Sequence, residues 1–168
     1  MISKDMEKAI NEQINKELYS AYYYLSMAAF LESDGLDGMA GFMKAQAQEE
    51  VEHAMKFYSY VNEQGGRVWL DTIEKPKEEF KDAQEIFTLS LEHEQYVTSR
   101  IHALVDLALK ENDHATKAFL DWYVTEQVEE EATMSTILDK LKRVGSTGQG
   151  LLMLDAQLGQ RGAATDGK

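Results

Sequence analysis

Gln48-Glu49-Glu50-Val51-Glu52-His53 stands in the middle of a long helical segment, and its reading decides the fold. Around it, side chains of one kind of face recur at alternating four- and three-residue steps: Met39, Met43, Gln46, Glu50, His53, Phe57 and Tyr60. That period marks one face of an α-helix packed into a bundle. Glu50 and His53 occupy the centre of the face, three residues apart and so stacked one above the other. A carboxylate and an imidazole among core residues need partners, because an unpaired charge in an apolar interior is costly.

Working outward, three other segments show the same period. A helix over about 3–32 carries Ile10, Ile14, Glu17, Ala21, Tyr24, Ala28 and Leu31 on one stripe. The helix of the opening stretch covers about 37–64. A third, over about 83–111, carries Phe87, Leu91, Glu94, Thr98, Ile101, Val105 and Ala108. A fourth, over about 114–144, carries Leu120, Tyr123, Gln127, Glu130, Met134, Ile137 and Leu141. A short fifth helix is expected at about 150–159, with 162–168 as a disordered tail. The punctuation agrees with these bounds. Gly35 suits the left-handed position past a helix end, Asp37 an N-cap, and Asp82 with Glu85 a capping pair. Gly65-Gly66, Asn112-Asp113 and Gly145 mark the other ends. Between 67 and 81 no helical period exists, although Val68, Trp69, Leu70 and Ile73 make the segment adhesive. A connection that long inside a helical domain crosses the length of the bundle and joins two parallel neighbours. The expected fold is therefore all-α, a four-helix bundle in a single domain of 168 residues.

Composition narrows the function. One proline and an abundance of Ala, Leu, Glu, Gln, Met and Lys fit helices. A formal net charge of −13 argues against nucleic-acid partners and suits a protein that attracts cations. The absence of cysteine excludes disulfide frameworks, thiolate zinc sites and iron–sulfur ligation. Asp5 and Glu7 stand where a signal peptide would be apolar, and the nearly apolar run from Leu18 to Leu31 is too short to span a bilayer. No membrane partner and a cytoplasmic location are expected.

The polar residues of the four stripes share one depth. Glu17 to Glu50 and His53 are steps of 33 and 36, and Glu94 to Gln127 and Glu130 are again 33 and 36, a constellation repeated after 77 residues. At a rise of ~1.5 Å per residue all six lie within about one turn of a common level. Four carboxylates facing one another would each lose several kcal/mol of hydration, and no Lys or Arg stands on the stripes. Two divalent cations offset that charge directly. Carboxylate oxygens with one imidazole and one amide favour iron or manganese over thiophilic metals. A polar layer that only fixes helix register uses one residue rather than six.

With those six residues in place, the chain resembles the ferritins, specifically the non-haem bacterial type. The likeness covers nearly the whole length: four long helices, the crossover, the short fifth helix, and Glu17, Glu50-x-x-His53, Glu94 and Gln127-x-x-Glu130. It implies a ferritin-like bundle with a di-iron ferroxidase centre, which oxidises Fe²⁺ with O₂ or H₂O₂. It also implies a homo-oligomeric cage of 24 subunits that stores ferric mineral. By that resemblance Glu17, Glu50 and His53 hold one iron, Glu94 and Glu130 the other, with Glu50 bridging and Gln127 nearby. Glu49, Glu126 and Glu129 match a third, more labile iron site, whose alternative is a solvated acidic edge. Tyr24 stands where it can hydrogen-bond near the iron or donate an electron, or simply pack in the core, and Trp122 has the same two readings. Where haem-binding relatives repeat Glu-x-x-His, the fourth helix here reads Gln127-Val128-Glu129-Glu130, so the second iron is expected to be held less firmly. Glu52 replaces the methionine of a haem site, so no haem is expected. The alternative is a di-iron oxygenase or peroxidase not devoted to storage, and a third reading is a metal-free helical scaffold.

His93, His102 and His114 lie off the stripes and are expected at the surface. Tyr19, Tyr23 and Phe30 point roughly 200–240° away from Glu17, at ~100° per residue. They are expected to be buried against another subunit. Leu151, Leu152, Leu154 and Leu158 are expected to be so as well.

Overall fold

A computed structural model of the chain describes residues 1–145 and 147–165, the side chains through residue 160. Among the described residues five helices follow one another: α1 (Lys4–Ser33), α2 (Asp37–Glu63), α3 (Ala83–Glu111), α4 (His114–Val144) and α5 (Gln149–Thr165). The fold is all-α, a four-helix bundle with a shorter C-terminal helix. The helix α5 runs past the expected end, through four residues of the anticipated tail; residues 166–168 lie outside the described residues.

Local chemistry sets most helix ends. Ser3, Asp82 and Asp113 accept hydrogen bonds from the backbone N–H groups of Met6, Glu85 and Thr116, the N-cap geometry these residue types favour. Gly35 (φ +75) and Asn112 (φ 55) take the left-handed positions that turn the chain after α1 and α3. The start of α2 departs from expectation. Its N-cap is Leu36, without a side-chain cap, and Asp37 is already helical. Asp155 of α5 supplies the cap instead: its Oδ1 accepts from Met39 N at 2.7 Å and its Oδ2 from Gly38 N at 3.2 Å. The α2–α5 crossing is tight enough that a Cβ on Gly38 would lie 1.9 Å from the Asp155 carbonyl oxygen.

The pairing of helices is legible from single bonds. The crossover, residues 64–82, begins where Ile2 N donates to Gln64 O and then runs along α1. Asn11 bonds Arg67 O and Trp69 N, Asn15 bonds Asp71 O and Thr72 O, and Ser26 bonds Lys77 O. Phe30 finally meets Phe80, ring centroids 5.5 Å apart. Polar side chains of α1 thus satisfy the backbone of a segment that has no secondary structure of its own. Because the crossover traverses the bundle, α2 and α3 are parallel, as a connection of that length predicts. α3 lies antiparallel to α1 (Tyr24 beside Glu94, Ser3 beside Glu111) and α4 antiparallel to α2 (Gln46 beside Glu130, Tyr60 beside Thr116).

Two apolar clusters lie above and below the middle of the bundle. One gathers Met27, Leu31, Met39, Met43, Phe87 and Met134, with Leu151, Leu154 and Leu158 of α5. The other gathers Ile10, Ile14, Phe57, Ile101, Leu120 and Tyr123. The stripes expected on α1, α2 and α4 are all buried. On α3 the buried arc is rotated toward α1: Ile86, Ser90, His93, Val97 and Leu104 are inside, while Leu91, Thr98 and Val105 are half-buried.

The aromatic residues on the outer side of α1 also depart from expectation. Tyr23 is buried and Tyr19 and Phe30 are half-buried within this one chain, beneath the crossover and Phe80. Leu151, Leu154 and Leu158 are likewise covered by their own chain, and of the four leucines of α5 only Leu152 is exposed. No helix among the described residues is long and apolar enough to cross a membrane.

Candidate metal centre

Between the two apolar clusters the four long helices each deliver a carboxylate to one level. Glu17 (α1), Glu50 (α2), Glu94 (α3) and Glu130 (α4) are all at least 96% buried, exposing 1, 2, 0 and 4% of their surface. Helical periodicity explains why each points inward: every one stands on a stripe whose neighbours one turn away are core residues.

One oxygen or nitrogen from each of Glu17, Glu50 and His53 falls within 4.8 Å of the other two. His53 Nδ1 lies 3.3 Å from Glu50 Oε2, as the three-residue spacing on α2 dictates. The other ring nitrogen, Nε2, faces outward and is 3.9 Å from Glu126 Oε1. Its ring is fixed edge-on between Trp122 and Tyr123, and Tyr123 donates its hydroxyl proton to the His53 carbonyl at 2.7 Å.

Across the bundle, Glu94 accepts hydrogen bonds from the Tyr24 hydroxyl and from Gln127 Nε2, the latter at 3.0 Å. Gln127 Nε2 is also within 3.2 Å of the Glu94 carbonyl, so this amide holds Glu94 in place. Glu130 Oε2 accepts from Gln46 Nε2 at 2.8 Å. Three buried polar atoms make no hydrogen bond among the described residues: Glu17 Oε2, Gln46 Oε1 and Glu50 Oε2, the last approached only by His53 Nδ1 at 3.3 Å. Two of them belong to the three-residue cluster just described. Buried oxygens without donors are rare in folded proteins and cost about 1–3 kcal/mol each. A divalent cation is the partner that carboxylate oxygens and an imidazole of this spacing fit.

The acids respond to one another in the expected direction. Burial raises Glu50 well above the ordinary carboxylate range, and the neighbouring Glu94 and Glu17 charges add to it. Glu94 is raised to about 7 by burial, against the lowering effect of the Tyr24 and Gln127 hydrogen bonds. Glu130 is raised to about 8, first by burial and then by the Glu94 charge. Burial, with Glu94 beside it, also pushes the Tyr24 hydroxyl well up, so it stays a proton donor.

The remaining expected residues are placed less centrally. Glu49 and Glu126 are half-buried at the rim, close enough for their charges to raise Glu130. Glu129 is exposed. Trp122 is 39% exposed, with Lys56 Nζ 3.1 Å from the ring centroid. His102 and His114 are exposed, but His93 is buried. Rotation of α3 toward α1 brings its Nε2 within 2.7 Å of Ser20 Oγ and its ring among Tyr19, Tyr23 and Tyr24. Burial lowers its pKa to about 4, so the ring is neutral there.

Two glutamines beside the carboxylates went unassigned in the sequence reading. Gln13 Nε2 donates to Glu17 Oε1 at 2.8 Å, and Gln46 bonds Glu130. Gln13 stands four residues before Glu17, an i, i+4 signal present in the sequence but masked by the usual surface preference of glutamine, whereas Gln46 stands on the α2 stripe and reaches across the bundle to Glu130, which no local spacing signals.

The ferritin-like domain model matches residues 7–144. The bacterial non-heme ferritin of Campylobacter jejuni is 44% identical over 155 residues, 92% of this chain and 93% of that protein. The bacterial non-heme ferritin of Bacteroides fragilis is 44% identical over 161 residues, 96% of this chain and 100% of that protein. The open pore ferritin of the hyperthermophilic archaeon Archaeoglobus fulgidus, a solved structure, superposes with a TM-score of 0.93 at 49% identity. That alignment covers 95% of this chain and 98% of the archaeal one.

Proposed function

Because the chain belongs to the ferritin family, of the bacterial non-haem type, we propose that it stores iron by oxidising Fe²⁺ to Fe³⁺ inside the bundle and holding the ferric product as mineral within a protein cage. The observation that carries this reading is a buried acidic layer in which Glu17 Oε2 and Glu50 Oε2 have no hydrogen-bond donor, and in which one oxygen of each carboxylate and one His53 ring nitrogen lie within 4.8 Å of one another. Fe²⁺ is the substrate that such a layer accepts.

Glu17, Glu50 and His53 hold the first Fe²⁺. Glu94 and Glu130 hold the second, and Glu50 bridges the two. Each Fe²⁺ gives up one electron to O₂ or H₂O₂, and the chain supplies placement and electrostatics. Gln127 and Tyr24 keep Glu94 oriented, each by a hydrogen bond donated to its carboxylate. With Gln127 in place of a second imidazole, the second iron is bound more weakly and leaves more readily. Glu49, Glu126 and Glu129 form an outer, labile iron site along which the product moves. The assembly is a homo-oligomer of 24 copies, carries no haem, and works in the cytoplasm.

Aerobic addition of Fe²⁺, with ferric absorbance and particle size followed in one sample, tests the reading. The expected result is mineral growth inside a large, uniform particle with iron as the only reductant. Glu50→Ala and Glu94→Ala are each expected to slow oxidation at least about tenfold, since they remove a metal-holding group outright. Protein that takes up no iron, with both variants indistinguishable from the parent, would overturn it.

A further inference from the structure

Gln13 stands one turn before Glu17 on α1 and is fully buried. Its Nε2 donates to Glu17 Oε1, and its own Oε1 accepts from Arg100 Nε of α3, each at 2.8 Å. An amide facing a carboxylate has two orientations, one attractive and one repulsive, because its two ends are a donor and an acceptor. A guanidinium only donates. Contact with Arg100 therefore selects the orientation that sends the Gln13 N–H toward Glu17. One oxygen of Glu17 is engaged as a result, and the other, Oε2, is left without a partner beside Glu50 and His53.

Gln46 supplies the contrast. It too stands four residues before a layer glutamate, yet its Oε1 is buried without a hydrogen-bond partner, so no donor fixes its orientation. Arg100 itself is half-buried and reaches Gln13 from the bundle surface. Its guanidinium lies 6.0 Å from the Tyr96 ring, and the residue lines a cleft of about 420 Å³ under the crossover together with Lys16, Trp69 and the carboxylates of Glu12, Asp71 and Glu74.

We infer that Gln13 and Arg100 are a positioning pair for Glu17: Arg100 fixes the Gln13 amide, and the amide holds Glu17 so that Oε2 alone faces the first divalent ion. The inference rests on the metal-centre reading above. Groups that orient a metal-holding residue in this way typically change affinity by about 10–100-fold when removed. Arg100 also brings a cation to a layer of four acids through one neutral amide, without placing a charge on any stripe.

Anaerobic Co²⁺ binding to the full chain tests it, read by calorimetry and by the visible spectrum, which reports ligand number and geometry independently of turnover. Gln13→Leu and Arg100→Met are each expected to weaken the tighter Co²⁺ site about tenfold and to alter its spectrum. Arg100→Lys, still donor-only, is expected to retain most of the affinity. The double variant is expected to be no worse than Gln13→Leu, because Arg100 acts through Gln13. Should Gln13→Leu fail to fold, Arg100→Met and Arg100→Lys at the half-buried rim decide the matter. Parent-like affinity and spectrum in folded Arg100→Met, or losses that simply add in the double variant, would overturn the pair. A parent protein that binds no Co²⁺, no differently from Glu50→Ala, overturns the metal centre instead.

Discussion

At the level of single residues the acidic layer is a stability problem that a bound divalent ion would relieve. Burial pushes Glu94 up to about 7 and Glu130 up to about 8 in the fold, against 4.5 for an ordinary glutamate. A folded-state pKa above the unfolded one means the native state binds the extra proton, so stability falls as pH rises between the two values. Metal-free protein is therefore expected to lose thermal stability from about pH 5 to about pH 8, by a few kcal/mol in all. Melting curves across that range check the slope. Glu130→Gln is expected to flatten the upper part. Tyr24→Phe removes a hydrogen bond that lowers Glu94, so its titration is expected to move higher, measurable by carboxyl NMR. Saturating Zn²⁺ is expected to reverse the trend above pH 7, because only ionised carboxylates bind it.

At the level of elements, α2 and α5 cross with no room for a side chain at Gly38. Gly38→Ala would drive a Cβ into the Asp155 backbone, and overpacking of this kind typically costs about 1–3 kcal/mol. Asp155→Ala removes the cap on α2 and is expected to cost about 1 kcal/mol. Both are expected to make α5 the first segment cut in limited proteolysis, and a parent-like digestion pattern would count against the assignment. The same elements show what a sequence reveals. Stripes on α1, α2 and α4 are legible because each faces the core with one arc, and the six layer residues follow from spacing alone. α3 is misread by a fraction of a turn, since Ser90 and His93 are polar residues that pack inward against α1. Tyr23 and Phe30 read as facing another subunit because an irregular crossover has no period that would place it over them. Asp155 as the cap of a helix more than a hundred residues earlier has no local signal at all.

For the whole molecule, charge and exposed apolar surface are the relevant properties. A net charge of −13 on each copy draws cations inward, so the initial rate of Fe²⁺ uptake is expected to fall several-fold as ionic strength rises from about 0.01 to 0.15 M. Stopped-flow absorbance measures it. With Tyr23 buried and Phe30 half-buried within the chain, the apolar side chains left for contact between copies include Tyr22 and Leu25, one turn apart on the outer side of α1 and about half exposed. Leu25→Glu is expected to shift the particle toward small species in light scattering while leaving the helical content of each copy unchanged.

The crossover has one more consequence. It lies along α1 from Asn11 to Phe30 and is tied down by three polar side chains and a ring contact. That leaves the first helix sheathed on a side where its siblings meet solvent. In deuterium labelling, the central amides of α1 are accordingly expected to be the slowest in the chain to take up label. A nick in the 70s would hasten exchange at the very turn that presents Glu17.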